Sequence, residues 1–259
     1  MKKDTTRQWI NVLGVVFTIA LNGLANALPL NGQTTGEISD RFETYFVPAG
    51  YVFSIWGLIY LTLVAFAVYQ VLPGQRTNPR LRRVGYLFAL SCVANVAWLF
   101  LWHYERFPLT MVAMILLLLS LIAIYVRLGI GVTTVPAAEQ WFVRVPFRIY
   151  LGWVTVATIA NASSLLYYLG WGGWGISPQI WTVIMLLAAT AITAAVTFTR
   201  GDVAYGAVII WAFAGIAVKH AGTPIVSTTA WGATALALIV TALGAWTHKQ
   251  RNLSPSSAS

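Results

Sequence analysis

The sequence predicts an all-α, polytopic integral membrane bundle of about eight helices, and three observations carry that prediction. The first is composition: of 259 residues, 58% are hydrophobic and only 9% charged, against about 25% charged in a soluble domain. Seven acids and 16 bases cannot coat a water-facing globule of this size. A soluble enzyme, a nucleic-acid binder and a disordered chain are thereby excluded. The second is that apolar residues come in runs of roughly 20, the length at which a helix crosses a bilayer. The third is where the bases fall. With the N-terminus cytoplasmic, thirteen of the 16 bases lie on the inner side and only Arg41, Arg106 and Lys219 on the outer side, the asymmetry that orients helices on insertion. Both termini are therefore expected in the cytoplasm, and a bacterial inner (plasma) membrane is the expected home. The net charge of +9 reads as orientation and implies no nucleic acid.

Taken in order, the first span, Trp9–Leu28, carries Gly14, Thr18, Asn22 and Asn26 at helical spacing, a polar stripe suited to packing on other helices. A cleaved signal peptide is its rival, because Lys2-Lys3, an apolar run and Ala25-Asn26-Ala27 have that shape. A discarded peptide needs no packing face, which favours the retained span. The second span, Gly50–Leu72, places Trp56 and Tyr60 on one face. The third, Val84–Tyr104, aligns Ser91, Asn95, Trp98 and Trp102. The fourth, Pro108–Val126, is the most uniformly apolar and is expected to face lipid on most sides. The fifth, Val145–Leu169, steps by four through Trp153, Ala157, Asn161 and Leu165. Three more follow at Ile180–Phe198, Val203–Val218 and Thr229–Trp246.

Chemistry is constrained by what the spans lack. All seven acids fall in loops or at span ends, whereas ion-coupled carriers place carboxylates within the membrane. His103, His220 and His248 lie near span ends without the pairing a metal site needs; His103 or His220 could supply one axial ligand to a haem, with nothing in the spacing to single either out. The lone cysteine, Cys92, is expected to pack. No catalytic constellation and no metal site are expected, so an enzyme is the less favoured class.

The spans do hold rings and amides. Of twelve Trp, Trp9, Trp171, Trp174, Trp181, Trp231 and Trp246 lie at span ends, where amphipathic rings belong. Trp102 is also near an end, and Trp141 falls in a loop. Trp56, Trp98, Trp153 and Trp211 lie deeper. A buried indole N–H needs an acceptor and a buried amide several partners, so these side chains turn inward. Two readings stay open. The faces are inter-helix hydrogen-bonding contacts, or they line a dry pocket that grips a flat hydrophobic ligand, with Ala157 leaving a hollow between ring and amide.

Three segments resemble the TspO/MBR family of tryptophan-rich sensory proteins, related to the mitochondrial translocator protein. Pro48-Ala-Gly-Tyr-Val-Phe-Ser-Ile-Trp56-Gly-Leu-Ile-Tyr60 resembles its proline and aromatic run. Asn95-Val-Ala-Trp98-Leu-Phe100 is similar to its Asn-x-x-Trp-x-x-Phe-Phe signature. Tyr150-Leu-Gly-Trp153-Val-Thr-Val-Ala157-Thr-Ile-Ala-Asn161 is similar to Pro-Tyr-x-x-Trp-x-x-Phe-Ala-x-x-Leu-Asn. The departures are real: Phe53 stands three residues before Trp56 instead of four, only Pro48 remains of a proline pair, and Ile149, Val156 and Ala160 replace proline, phenylalanine and leucine. They reshape cavity walls more than the fold.

The resemblance implies a five-helix ligand-binding bundle over 1–169; beyond the family's five spans this chain adds a three-helix membrane segment with a short polar tail over 170–259. It implies a cavity roofed by Asn31–Val47 and a ligand set of Trp56, Tyr60, Asn95, Trp98, Trp153, Ala157 and Asn161. It implies a porphyrin, haem or other tetrapyrrole, or a sterol-like ligand, with no cofactor required, and a homodimer. Some bacterial members resemble slow photochemical porphyrin-degrading proteins that use the tryptophans matching Trp56 and Trp153. The function expected is a membrane-embedded binding or sensory protein for a planar hydrophobic molecule. The alternative is a passive transporter or the membrane subunit of a permease, with Thr190, Thr193, Thr197, Trp211 and Gly215 lining a second path.

Overall fold

A chain in hydrocarbon must satisfy every backbone N–H and C=O internally, which leaves helices or closed barrels. The computed structural model describes residues 2–28 and 30–253, and every regular element among them is helical. The helices are α1 (Lys2–Ala27), α2 (Thr35–Asp40), α3 (Ile55–Val71), α4 (Pro79–Val84), α5 (Leu87–His103), α6 (Phe107–Arg127), α7 (Ala137–Glu139), α8 (Val145–Tyr168), α9 (Pro178–Arg200), α10 (Val203–Lys219) and α11 (Pro224–Leu253). A 3-10 turn over Gly50–Ser54 leads into α3, and a π turn over Gln140–Arg144 leads into α8. Pro146 lacks the N–H that would tighten the ladder there. Trp141, expected in a loop, lies in that π turn with its ring outward. The end of the polar tail, beyond Leu253, lies outside the described residues.

All eight segments expected to span are helical. Six are long and apolar enough to cross a membrane by length and composition, while Leu87–His103 and Val203–Lys219 are shorter. The third span begins three residues later than expected, because Gly85, at φ 57°, breaks the chain between α4 and α5. The last helix extends further at both ends, with Pro224 at its start, where a missing N–H costs nothing. The chain is an integral, all-α membrane protein.

The described residues form two compact units. The first comprises the chain up to Thr44, Ser54–Gly129 and Val135–Trp171. In it α1 packs on α3 and α5, α5 on α6, α6 on α8 and α3 on α8. Its core is knitted by Phe66, Phe88 and Phe147, one ring each from α3, α5 and α8, with centroids 5.0 to 5.7 Å apart and edges on faces. Lipid tails are as apolar as leucine, so such contacts act through close packing rather than water release. Of the polar stripe of α1, Thr18 and Asn22 are buried and Gly14 is half-buried, while Asn26 is exposed; at the start of the same helix the Gln8 amide donates to the Gln70 carbonyl, and Asn11 donates to the Gln70 side chain at 3.1 Å. At the same end Arg80 grips the buried Glu139 carboxylate with two N–H groups, and Arg82 holds Asp4 likewise.

The second unit comprises Tyr45–Phe53, Ile130–Thr134 and the chain from Gly172. Here α11 packs along both α9 and α10, and small residues let the backbones approach. A Cβ on Gly206 would stand 2.2 Å from the Thr241 hydroxyl, and one on Gly244 would stand 2.6 Å from the Thr197 backbone. Thr190, Thr193 and Thr197 each donate to a carbonyl of their own helix, and Thr197 lies 3.1 Å from the Val240 carbonyl of α11. These threonines are buried packing residues. Removing the central ring of the first unit tests the packing account. Phe147→Ala should cost about 3 kcal/mol, the low end for that change, because lipid leaves no water penalty to recover. Thermal unfolding in detergent measures it, and a loss under 1 kcal/mol would remove the ring trio from the core.

Candidate functional site

In the first unit an amide on α1 begins a chain of polar contacts at membrane depth. Asn22 donates to the Asn95 side-chain oxygen at 2.9 Å, and Asn95 donates to the Tyr150 hydroxyl at 3.1 Å. All three side chains are buried. Asn22 also donates to the Thr18 carbonyl of its own helix at 2.9 Å, which fixes its rotamer. Three helices, α1, α5 and α8, are thereby held in one register.

Above Tyr150 sits the ring set. Trp56 stacks on Tyr60 one turn along α3, with centroids 5.4 Å apart and planes 25° apart. It meets Tyr150 at 6.0 Å and Trp153 at 6.2 Å, both edge-on. Edge-to-face contacts of this kind contribute about 0.5–1.5 kcal/mol beyond area. A second pair lies further along the same helices. The Trp98 indole N–H donates to the Asn161 side-chain oxygen at 2.9 Å, and Asn161 faces the Met111 sulfur at 3.4 Å. Trp98 stacks on Trp102 at 5.4 Å.

The segment after α1 closes this end of the unit. Thr34 caps α2 reciprocally with Glu37, and the sequence Thr-x-x-Glu is the pattern that does so. The Thr34 N–H and hydroxyl beside Glu37 hold its carboxyl below the usual range. So anchored, α2 drives Ile38 into a cluster with Trp102 and Phe107. Phe42 follows one turn later, edge-on to Phe107 at 5.0 Å and to Tyr167 at 6.0 Å. Trp102 donates to the Thr35 carbonyl at 3.2 Å, Asn31 to the His103 carbonyl at 3.1 Å, and Arg41 pairs with Glu105.

Of the seven expected ligand residues, Trp56, Tyr60 and Trp153 form one ring set, and Asn95 joins it through Tyr150. Trp98 and Asn161 bond to each other. Ala157 lies midway between Trp153 and Asn161 on the same face of α8, over a rise of about 12 Å, and it bridges the two groups through its small size alone. Sequence reasoning did not assign Tyr150, Asn22, Trp102, Ile38 and Phe42 to the site. Tyr150 sits three residues before Trp153, so its signal was helical spacing. Trp102 was counted among the rings near span ends, yet it is 4% exposed because α2 folds over it.

Among the described residues no three His, Cys, Asp or Glu side chains gather to hold a metal ion. His103 is buried, with Nδ1 at 2.8 Å from the Leu99 carbonyl. A proton donated there leaves Nε2 as the lone-pair atom, without a hydrogen-bond partner. The arrangement brings together flat rings, a few oriented amides and a capped end.

The sequence model of a family described as TSPO-like protein covers residues 8–243. A comparison with curated proteins and another with solved structures give no match.

Two outcomes test this geometry. In a double-mutant cycle with Trp98→Phe and Asn161→Leu, followed by thermal unfolding, the pair should couple by about 1 kcal/mol; additive losses would show that the bond does not hold α5 to α8. Because Glu37 titrates lower when folded, its contribution to the α2 cap is present above the ordinary carboxylate pKa and fades as pH falls through the depressed one. Amide exchange in 35–40, corrected for intrinsic rate, should therefore rise below about pH 4, and Glu37→Gln should abolish that dependence.

Proposed function

Because the chain belongs to the TSPO-like protein family, we propose that it is a membrane sensory or binding protein whose ligand is flat and hydrophobic, a porphyrin or related tetrapyrrole in preference to a sterol-like molecule. The observation that carries this is the Trp56 ring, met by Tyr60, Tyr150 and Trp153 from two helices at membrane depth. Rings that meet edge-on leave faces on which an extended π-system stacks. The Asn95–Tyr150 bond beside them offers a donor and an acceptor that orient the polar edge of such a ligand. Trp98, Ala157 and Asn161 extend the same wall toward the α2 cap. Binding of this kind uses no catalytic group and no resident cofactor. On this reading both termini face the cytoplasm, eight helices cross an inner membrane, and α2 caps the site from outside.

Transport gains no support from the second unit, whose threonines are spent on packing α9 against α11. Protoporphyrin IX titrated into the purified protein, followed by its Soret absorbance and by tryptophan quenching, tests the proposal. Trp153→Ala and Trp56→Phe should each weaken affinity about tenfold, the 1.4 kcal/mol order of one lost ring contact. Unchanged affinity in both variants would place the ligand elsewhere.

A further inference from the structure

The end of the first unit that carries α4 is rich in arginine and poor in carboxylate, and its arginines are not all used alike. Two carboxylates stand there, and both are taken. Asp4 receives two N–H groups from Arg82 and lies 3.7 Å from Arg7, and the buried Glu139 receives two from Arg80. Arg144 is buried and donates to the Leu128 carbonyl at 2.9 Å, just past the last turn of α6. The negative end of that helix dipole therefore already has its cation.

Arg83 and Arg127 are placed differently. Both are exposed, and none of the ion pairs among the described residues includes either. Arg127, in the last turn of α6, reaches across to the Arg83 carbonyl of α4 at 3.4 Å. Two residues of like charge are thereby held against one another at a membrane boundary, with guanidinium N–H groups left over. Orientation on insertion needs bases at one end of the spans, and carboxylates count for little in it, so the paired arginines serve it as well. It does not call for two unpaired ones in contact.

What lies beside this pair is apolar and open to lipid. On α6 the exposed Leu119, Ile122 and Val126 follow the helical repeat down one face, which ends beside Arg127. On α5, packed along α6, the exposed Leu90 and Val93 continue a face that begins at Tyr86, three residues after Arg83. An exposed tyrosine ring at a span end belongs at headgroup depth. A cationic head above two apolar stripes is complementary to an amphiphile of opposite charge. Phosphate oxygens accept from guanidinium forks, and acyl chains lie along the stripes.

We propose that Arg83, Arg127 and Tyr86 form a headgroup site for an anionic phospholipid, with its phosphate at the two guanidinium groups and its acyl chains along α5 and α6. The site lies wholly within the first unit and does not depend on the binding reading above.

Spin-labelled phosphatidylglycerol and phosphatidylcholine with identical chains, each at trace level in phosphatidylcholine vesicles holding the protein, test the proposal. Electron paramagnetic resonance gives the fraction of each label that the protein immobilises. Lipid is offered in both leaflets, so orientation on insertion does not enter. Wild type should hold phosphatidylglycerol about fivefold more strongly than phosphatidylcholine, the order of one arginine at an anionic surface. Arg83→Gln/Arg127→Gln should abolish that preference; if it fails to fold, Arg127→Gln alone is read and should lower it at least about twofold, half the logarithm of the full effect. Lys249→Gln/Arg251→Gln removes two charges from exposed positions on α11 and should leave the preference intact. An equal loss in that control would show that the bases act only as diffuse charge. No preference in wild type would show that they serve insertion alone, and either result overturns the proposal. Glycerol phosphate in solution, a head without tails, should not compete; displacement by it would assign the arginines to a soluble anion and overturn the proposal too.

Discussion

Inside hydrocarbon an amide or an indole N–H has no water to bond, and that constraint orders the first unit. Each buried polar group must find its partner on another helix or on its own backbone. Asn22, Asn95 and Tyr150 solve the problem jointly, and in doing so they tie α1, α5 and α8 together at one depth. Trp98 and Asn161 solve it as a pair, one turn along on α5 and three turns along on α8. The rings carried beside these groups inherit the order. Trp153 follows Tyr150 by less than one turn, and Trp56 touches both. The aromatic set is oriented because the polar set is satisfied.

The second unit meets the same constraint by another route. Its hydroxyls return to carbonyls of their own helices, so they make few demands on neighbours, and contact is made by small residues at close range. Gly206, Gly215 and Gly244 each lie where any side chain would collide. Such an interface holds backbones rigidly while carrying little chemistry.

How much of this was legible depended on the range of the interaction. The spans were legible because apolar runs and base asymmetry are local properties of the chain. The faces were legible because helical spacing aligns Ser91, Asn95, Trp98 and Trp102, and likewise Trp153, Ala157 and Asn161. Partners were not. That Asn95 bonds to Asn22, 73 residues earlier, depends on which helices adjoin. The burial of Trp102 depends on a six-residue helix whose signal, Thr34 and Glu37 at capping-box spacing with Ile38 and Phe42 one turn apart, was present but lay in what read as a loop. The bond of Trp211 was not legible for the same reason, since its acceptor lies 159 residues away.

The central claim is that the ligand enters among Trp56, Trp98 and Trp153. The indole N–H resonances of the twelve tryptophans, recorded by nitrogen-15 NMR in lipid nanodiscs with and without protoporphyrin IX, test it most directly. The account predicts shifts confined to Trp56, Trp98, Trp153 and the stacked Trp102, with Trp9, Trp174, Trp231 and Trp246 unmoved. Shifts spread over the exposed rings, with the four inner ones unchanged, would contradict it.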